Sequence, residues 1–317
     1  MRGRTGWIAA GGFGLLLGWL LWLAPAPVGA WLYAANARLE ATLAGLEEQE
    51  RRVDGVRWRY FIRHGDTPGP CAVLIHGFTA EAANWFRLAM RLDRDRCLIV
   101  PDLPGFGGSD APPGLSYAIP DQTARLQAFL RAVRPQGTLD VVGSSMGGHI
   151  ALRLALDDPG RVHSLTLMDA GGIRSPQPSD QDRRVLAGER NGFDIRRPEE
   201  FEDFLTLGMA QVPWMPPSVR RALAATFIAR NGAYQAIFAQ IYHRDLEDAR
   251  VGGLRLPVLV LWGERDRLLH VSMAEAFGRA IPGARVVILP GIGHLPMLEA
   301  PGAAARAVEG FWGAVGG

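Results

Sequence analysis

Val141-Val142-Gly143-Ser144-Ser145-Met146-Gly147-Gly148 joins a short β-branched run, closed by a glycine, to a helix-like segment through small residues. Gly143, Ser145 and Gly147 occupy the fixed places of a G-x-S-x-G pattern. A serine on so sharp a turn carries strained backbone angles, and only small neighbours avoid collision with it. The turn lifts the Ser145 hydroxyl clear of a sheet, and the following helix points its N-terminal N–H groups at the same spot. A strand pattern at 139–142 precedes the turn and an amphipathic run at 149–156 follows it. That context separates a nucleophile from a plain Gly/Ser-rich turn. Ser144 is adjacent, but glycines flank only Ser145 at both −2 and +2.

On both sides of this turn the chain alternates strand with helix. Val53-Asp54-Gly55-Val56 reads as a hairpin turn, since Asp-Gly tolerates the positive φ of a two-residue loop. Strand patterns lie at 57–63, 71–75, 97–100, 164–168, 258–262 and 285–289. Helical patterns lie at 85–92, 119–133, 148–156, 272–280 and 303–312. This alternation implies an α/β protein with a parallel sheet covered on both faces. Between 171 and 253 the rhythm breaks into prolines, charges and apolar helical patches, the pattern of an inserted helical cap. The expected organisation is an N-terminal anchor (1–30), a juxtamembrane helix (31–52), a core in two parts (53–170 and 254–317) and the cap between them (171–253).

The N-terminal reading rests on an apolar run at 6–24 behind Arg2 and Arg4. It is about long enough to span a bilayer as a helix. Basic charge before the run keeps the N-terminus inside and exports the rest. Cleavage after Val28-Gly29-Ala30 is the alternative, disfavoured by the length of the run and by Pro25 and Pro27. In 34–52, Leu39, Leu43 and Leu46 share a stripe, and Glu47 with Arg51 makes an i,i+4 pair, so a helix is expected there.

Composition excludes several classes. A net charge of +2 gives no basic surface for nucleic acid. All 34 Lys+Arg positions are arginine, as a GC-rich bacterial genome would produce. No metal-ligand spacing occurs, and Gly105-Phe106-Gly107-Gly108 fails the dinucleotide fingerprint. Neither a metal nor a cofactor is expected.

A serine nucleophile needs a base, usually a histidine held by a carboxylate. In a parallel sheet such partners gather at the carboxyl ends of the strands. Of the seven histidines, only His294 sits on a glycine-flanked loop after the last strand pattern. His64, His163, His243 and His270 read as surface groups, His149 as packing and His76 as loop-shaping. Asp266, after the 258–262 strand, is the expected acid, with Asp169 and Glu264 as alternatives. The N–H groups of Met146 and Phe78, in His76-Gly77-Phe78, are the expected oxyanion donors. Phe78 and the cap's Trp214 and Phe238 are expected to line an apolar pocket over Ser145.

With these residues in place, the chain from about Val53 onward resembles the α/β-hydrolase family. The resemblance is carried by His76-Gly77-Phe78, Asp102 through Ser109, the Ser145 elbow, Trp262 through Asp266, and Gly293-His294. It is nearest to bacterial lipases and membrane-anchored monoacylglycerol lipases. The resemblance implies a mostly parallel eight-stranded sheet with a helical cap and an N-terminal transmembrane helix. It also implies a carboxylic ester hydrolase acting through Ser145, Asp266 and His294 on an ester or lipid. The charge pattern of the N-terminal run places that catalytic domain outside a bacterial inner membrane. A serine hydrolase of C–C bonds in ring-cleavage diketones shares the same triad, and a catalytically silent tethered binding protein is the reading from another class. Dehalogenases and epoxide hydrolases use an aspartate where Ser145 stands.

In that family's sheet the strands carrying Cys71 and Cys97 are parallel neighbours. Each cysteine lies five residues before a landmark, His76 and Asp102. Both a disulfide and two buried thiols fit. Free thiols are favoured, because ladder geometry is often poor for bridging.

Overall fold

The computed structural model describes residues 24–65 and 69–316. Helix α1 (Ala26–Leu43) leads into a hairpin of β1 (Glu47–Val53) and β2 (Val56–Arg63), followed by β3 (Cys71–Ile75), the short α2 (Phe86–Ala89) and β4 (Leu98–Pro101). Next come α3 (Ile119–Val133), β5 (Leu139–Ser144), α4 (Met146–Asp157) and β6 (Val162–Met168). Three helices, α5 (Asp180–Leu186), α6 (Pro198–Gly208) and α7 (Pro217–Ile241), fill the stretch expected as a cap. The sheet resumes with β7 (Val258–Gly263), α8 (Ser272–Ala280), β8 (Arg285–Leu289), α9 (Pro296–Glu299) and α10 (Pro301–Val315).

The strands form one eight-stranded sheet in the order β1-β2-β4-β3-β5-β6-β7-β8. From β4 to β8 every pairing is parallel, and β2 runs antiparallel to both neighbours. The central strands are buried along their whole length because helices cover both faces. One core lies on the α3, α4 and α8 side, with Phe129, Ile150 and Phe277. The other lies on the α2 and α10 side, with Trp85, Phe86 and Phe311. Strand order reverses at β3, which lies between β4 and β5. Such a switch point opens a crevice at the strand carboxyl ends.

The helix expected over 34–52 is corrected. It ends at Leu43, and Glu47–Val53 is an edge strand paired with β2 through the Val53/Val56 turn. Asp54 and Gly55 take the positive φ values, 48° and 81°, that the turn demands. The Glu47/Arg51 pair does not form; Glu50 and Glu48 instead meet Arg57 and Arg59 across the hairpin. Charges along an exposed strand guard a sheet edge as readily as they solvate a helix.

The apolar run at 6–24 lies outside the described residues except for Ala24. Among the described residues no helix is long and apolar enough to cross a membrane. Within α1, Gly29 lies against the start of α7: a Cβ there would sit 1.9 Å from the Ser218 carbonyl oxygen. A chain cleaved after Ala30 would lose this contact.

The favoured free thiols are also corrected, since Cys71 and Cys97 form a disulfide with 4.7 Å between Cα atoms. Parallel register puts Ala72 opposite Leu98 and Val73 opposite Ile99, so the cysteines one residue earlier stand side by side. The bridge closes a separation of 26 residues, worth about 3 kcal/mol. Thiol counting in denaturant should find none before reduction and two after, with reduction lowering stability by about that amount. Two free thiols before reduction would remove the bridge.

Candidate active site

Ser145 stands between the end of β5 and the start of α4 with φ 56° and ψ −121°, a strained conformation for a residue bearing a side chain. Its neighbours have to be glycine. A Cβ on Gly143 would lie 2.2 Å from the Gly147 carbonyl oxygen, and one on Gly147 would lie 2.3 Å from that of Ile75. The strain is held by main-chain bonds: Ser145 N–H donates to Asp169 O at 3.1 Å, and Gly171 N–H donates to Ser145 O at 3.0 Å.

The loop after β3 passes directly over this elbow. A Cβ on Gly77 would come within 2.9 Å of Ser145 Cβ, so the backbone leading to Phe78 runs against the serine. Neither the Phe78 nor the Met146 N–H is hydrogen-bonded among the described residues. His76 shapes this loop. Its Nδ1 bonds the Gly77 carbonyl at 2.8 Å, and its Nε2 accepts from Leu103 N–H at 3.0 Å. Burial lowers its pKa, which suits a neutral ring that donates through one nitrogen and accepts through the other.

His294 and Asp266 come together from the loops after β8 and β7. His294 Nδ1 donates to Asp266 Oδ2 at 2.7 Å, with both residues buried. Asp266 Oδ1 accepts the N–H groups of Leu268 and Leu269 at 2.8 and 3.0 Å, which fixes the carboxylate. Glu264 stays apart and accepts Gly291 N–H on the surface. No hydrogen bond joins the Ser145 hydroxyl to His294 among the described residues. In ligand-free sites that contact is often long and tightens with substrate.

One group here was not legible in the sequence. Glu299, on α9, accepts from Gly293 and Leu295 on either side of His294, and from Ala210 and Gln211 just past α6. His294 N–H in turn donates to Gly208 O. The histidine loop is therefore clamped to the helical insertion. The only available signal was an acidic residue one short turn downstream of His294, which is too common to interpret.

Of the three residues expected to line the pocket, two meet. Phe78 contacts Phe238, Phe193 and Tyr234 with ring centroids 6.2, 5.0 and 5.7 Å away. Trp214 is corrected: it is 77% exposed on the segment entering α7 and lies outside this cluster. Phe201 and Met209 belong to the insertion's own small core. A separate cavity of about 200 Å³, lined by Arg184, Arg190, Asp194 and Glu200 among others, includes none of the residues expected to act.

Asp169, Asp266 and His294 each offer one ligand atom, all within 4.8 Å of one another. In Asp266 and His294 the closest such atoms are already joined to each other, so the trio is a poor metal cage.

Comparison with known proteins agrees with this architecture. Residues 73–301 match the family described as the alpha/beta hydrolase fold. The chain is 32% identical to Lipase 1 of Psychrobacter immobilis over 243 residues, covering 76% of each protein. It is 25% identical to Monoacylglycerol lipase ABHD6 of Homo sapiens over 291 residues, covering 84% of this chain and 85% of that one. Among solved structures, a membrane phospholipase A described as a bacterial virulence factor superposes with a TM-score of 0.86 at 32% identity, covering 99% of both chains. By fold and by sequence, the chain belongs to the α/β-hydrolase family, on its lipase and esterase side.

Proposed function

We propose that this enzyme hydrolyses carboxylic esters through a Ser145–His294–Asp266 triad, with medium-chain monoacylglycerols and similar amphiphiles as substrates. The observation that carries the reading is the strained Ser145 elbow beside a buried His294–Asp266 hydrogen bond of 2.7 Å. In this mechanism His294 Nε2 takes the Ser145 proton as the hydroxyl oxygen attacks the ester carbonyl. The N–H groups of Phe78 and Met146 receive the developing oxyanion. Collapse expels the alcohol, which takes its proton from His294. Water, activated by the same histidine, then attacks the acyl-enzyme and frees the acid and Ser145. Asp266 holds the ring in one tautomer throughout. The mechanism calls on no cofactor.

The substrate class follows from the aromatic cluster around Phe78. Apolar walls with few polar groups suit an acyl chain, and each buried methylene contributes roughly 0.8 kcal/mol. kcat/KM should climb from acetyl to about C6–C12 esters and level off once the pocket is full. Phe238→Ala should flatten that climb while sparing acetyl ester turnover. Trp214→Ala should leave the profile unchanged. If acetyl esters are the best substrates and Phe238→Ala changes nothing, the acyl-pocket assignment fails. A ring-cleavage diketone assayed beside an aryl ester separates ester hydrolysis from C–C hydrolysis.

The proposed location is a bilayer surface, with the 6–24 run as an uncleaved single-pass anchor and the catalytic domain exported. Exposed Trp31 and Trp214 suit the headgroup region, where tryptophan is enriched. Intact-mass analysis of the membrane fraction should find the N-terminal segment present; a chain beginning at Trp31 would contradict the anchor.

A further inference from the structure

The triad leaves one fully buried group beside it without a role. Asp169 follows β6 in a left-handed conformation, φ 44°, and bonds to both halves of the site. Its carbonyl accepts Ser145 N–H, its N–H donates to Leu261 O at 3.0 Å, and its Oδ1 accepts Gly263 N–H at 2.8 Å. It therefore joins the serine elbow to the end of β7, three residues before Asp266. Its other oxygen, Oδ2, is buried, and no donor among the described residues reaches it.

Carboxyl oxygens of Asp169 and Asp266 lie within 4.8 Å of each other and of a His294 ring nitrogen. Two buried carboxyl groups this close do not both ionise; they share one proton. The surrounding donors decide which group keeps it. Asp266 accepts three N–H groups, from Leu268, Leu269 and His294. Asp169 accepts one, from Gly263. Each donor favours the charged form, so the proton stays on Asp169, at the Oδ2 that meets no donor among the described residues. Burial first, then the Asp266 carboxylate, push the Asp169 carboxyl well above the usual range, and Glu299 adds to the effect. Asp266, His294 and Glu299 are the titratable groups that face it.

We propose that Asp169 is a positioning residue: as a neutral carboxylic acid it donates a hydrogen bond to Asp266 and fixes the carboxylate that orients His294. This rests on the triad proposed above and adds a fourth member that never contacts substrate.

Asp169→Asn tests it, because an amide still accepts from Gly263 and still donates to Asp266 but has no proton to lose. In the folded wild type the acid stays protonated, whereas in the unfolded chain it ionises above about pH 3.9. The unfolded state thus binds fewer protons, and this group's share of stability falls as pH rises. The Tm gap between Asp169→Asn and wild type should be small at pH 4 and widen, in favour of the variant, to several degrees at pH 8. kcat/KM of Asp169→Asn should stay within about threefold of wild type. Asp169→Ala, which removes the donor, should lose about 10²-fold in kcat with little change in KM. A gap that stays flat or reverses with pH would mean that Asp169 is ionised in the fold and would overturn the proposal. So would an Asn variant as inactive as the Ala variant. The thermal measurement needs no substrate, so absence of ester hydrolysis alone would strike the hydrolytic reading and leave the shared proton standing.

Discussion

Ser145→Ala is expected to abolish turnover, on the order of 10⁶-fold in kcat, as loss of the nucleophile does in comparable triads, while the variant folds normally. The size of the effect follows from the geometry. The Ser145 side chain projects from the strained elbow at φ 56°, and alanine keeps the backbone while removing the attacking oxygen. Folding should survive because the elbow is held by its glycines and by the main-chain bonds to Asp169 and Gly171. Ser144→Ala is the control. Ser144 ends β5 with a buried hydroxyl that has no partner among the described residues, so its loss should cost little activity. Ester turnover by both variants, with circular dichroism to verify the fold, checks the pair. A Ser144→Ala variant that is as dead as Ser145→Ala would sink the assignment.

Asp266→Asn should cost about 10⁴-fold in kcat with KM little changed. Asp266 is buried and accepts His294 Nδ1–H at 2.7 Å, which in the proposed mechanism reserves Nε2 for the serine proton. An asparagine that turns its amide toward Nδ1 would favour the opposite tautomer and disable the base. Glu264→Gln is the companion variant, since Glu264 lies on the same loop but its side chain bonds Gly291 N–H at the surface instead of His294. It should keep nearly full activity. Equal losses in the two variants would show that the loop's shape is what matters and not the acid at 266.

The sheet was legible because its buried strands are written in β-branched and leucine runs separated by helix-length amphipathic stretches. Cys71–Ile75 and Ile119–Val133 fall where the pattern puts them. The same logic misread Glu47–Val53. An exposed edge strand has no apolar alternation, so its charges look like a solvated helix. Of the expected site, the elbow and the His294 and Asp266 loops were legible because each follows a recognisable strand. Trp214 was not, because an aromatic-rich stretch does not say which rings face inward. Glu299 makes its contacts between loops brought together only by folding, so local sequence carries no trace of them. Asp169 stood out only as an alternative acid after a strand, and its bonds to the elbow and to the end of β7 appear only in the fold. The disulfide lay in between: equal offsets from His76 and Asp102 marked the pair, but only the parallel register of β3 and β4 brings the two cysteines within reach.

The most direct measurement of the central claim is fluorophosphonate labelling of the full-length protein, followed by mass mapping of the modified peptide. A serine activated by His294 should be labelled in stoichiometric amount at Ser145, and Asp266→Asn should slow the labelling. Labelling at Ser144, or no labelling of a folded protein that carries the intact His294–Asp266 pair, would contradict it.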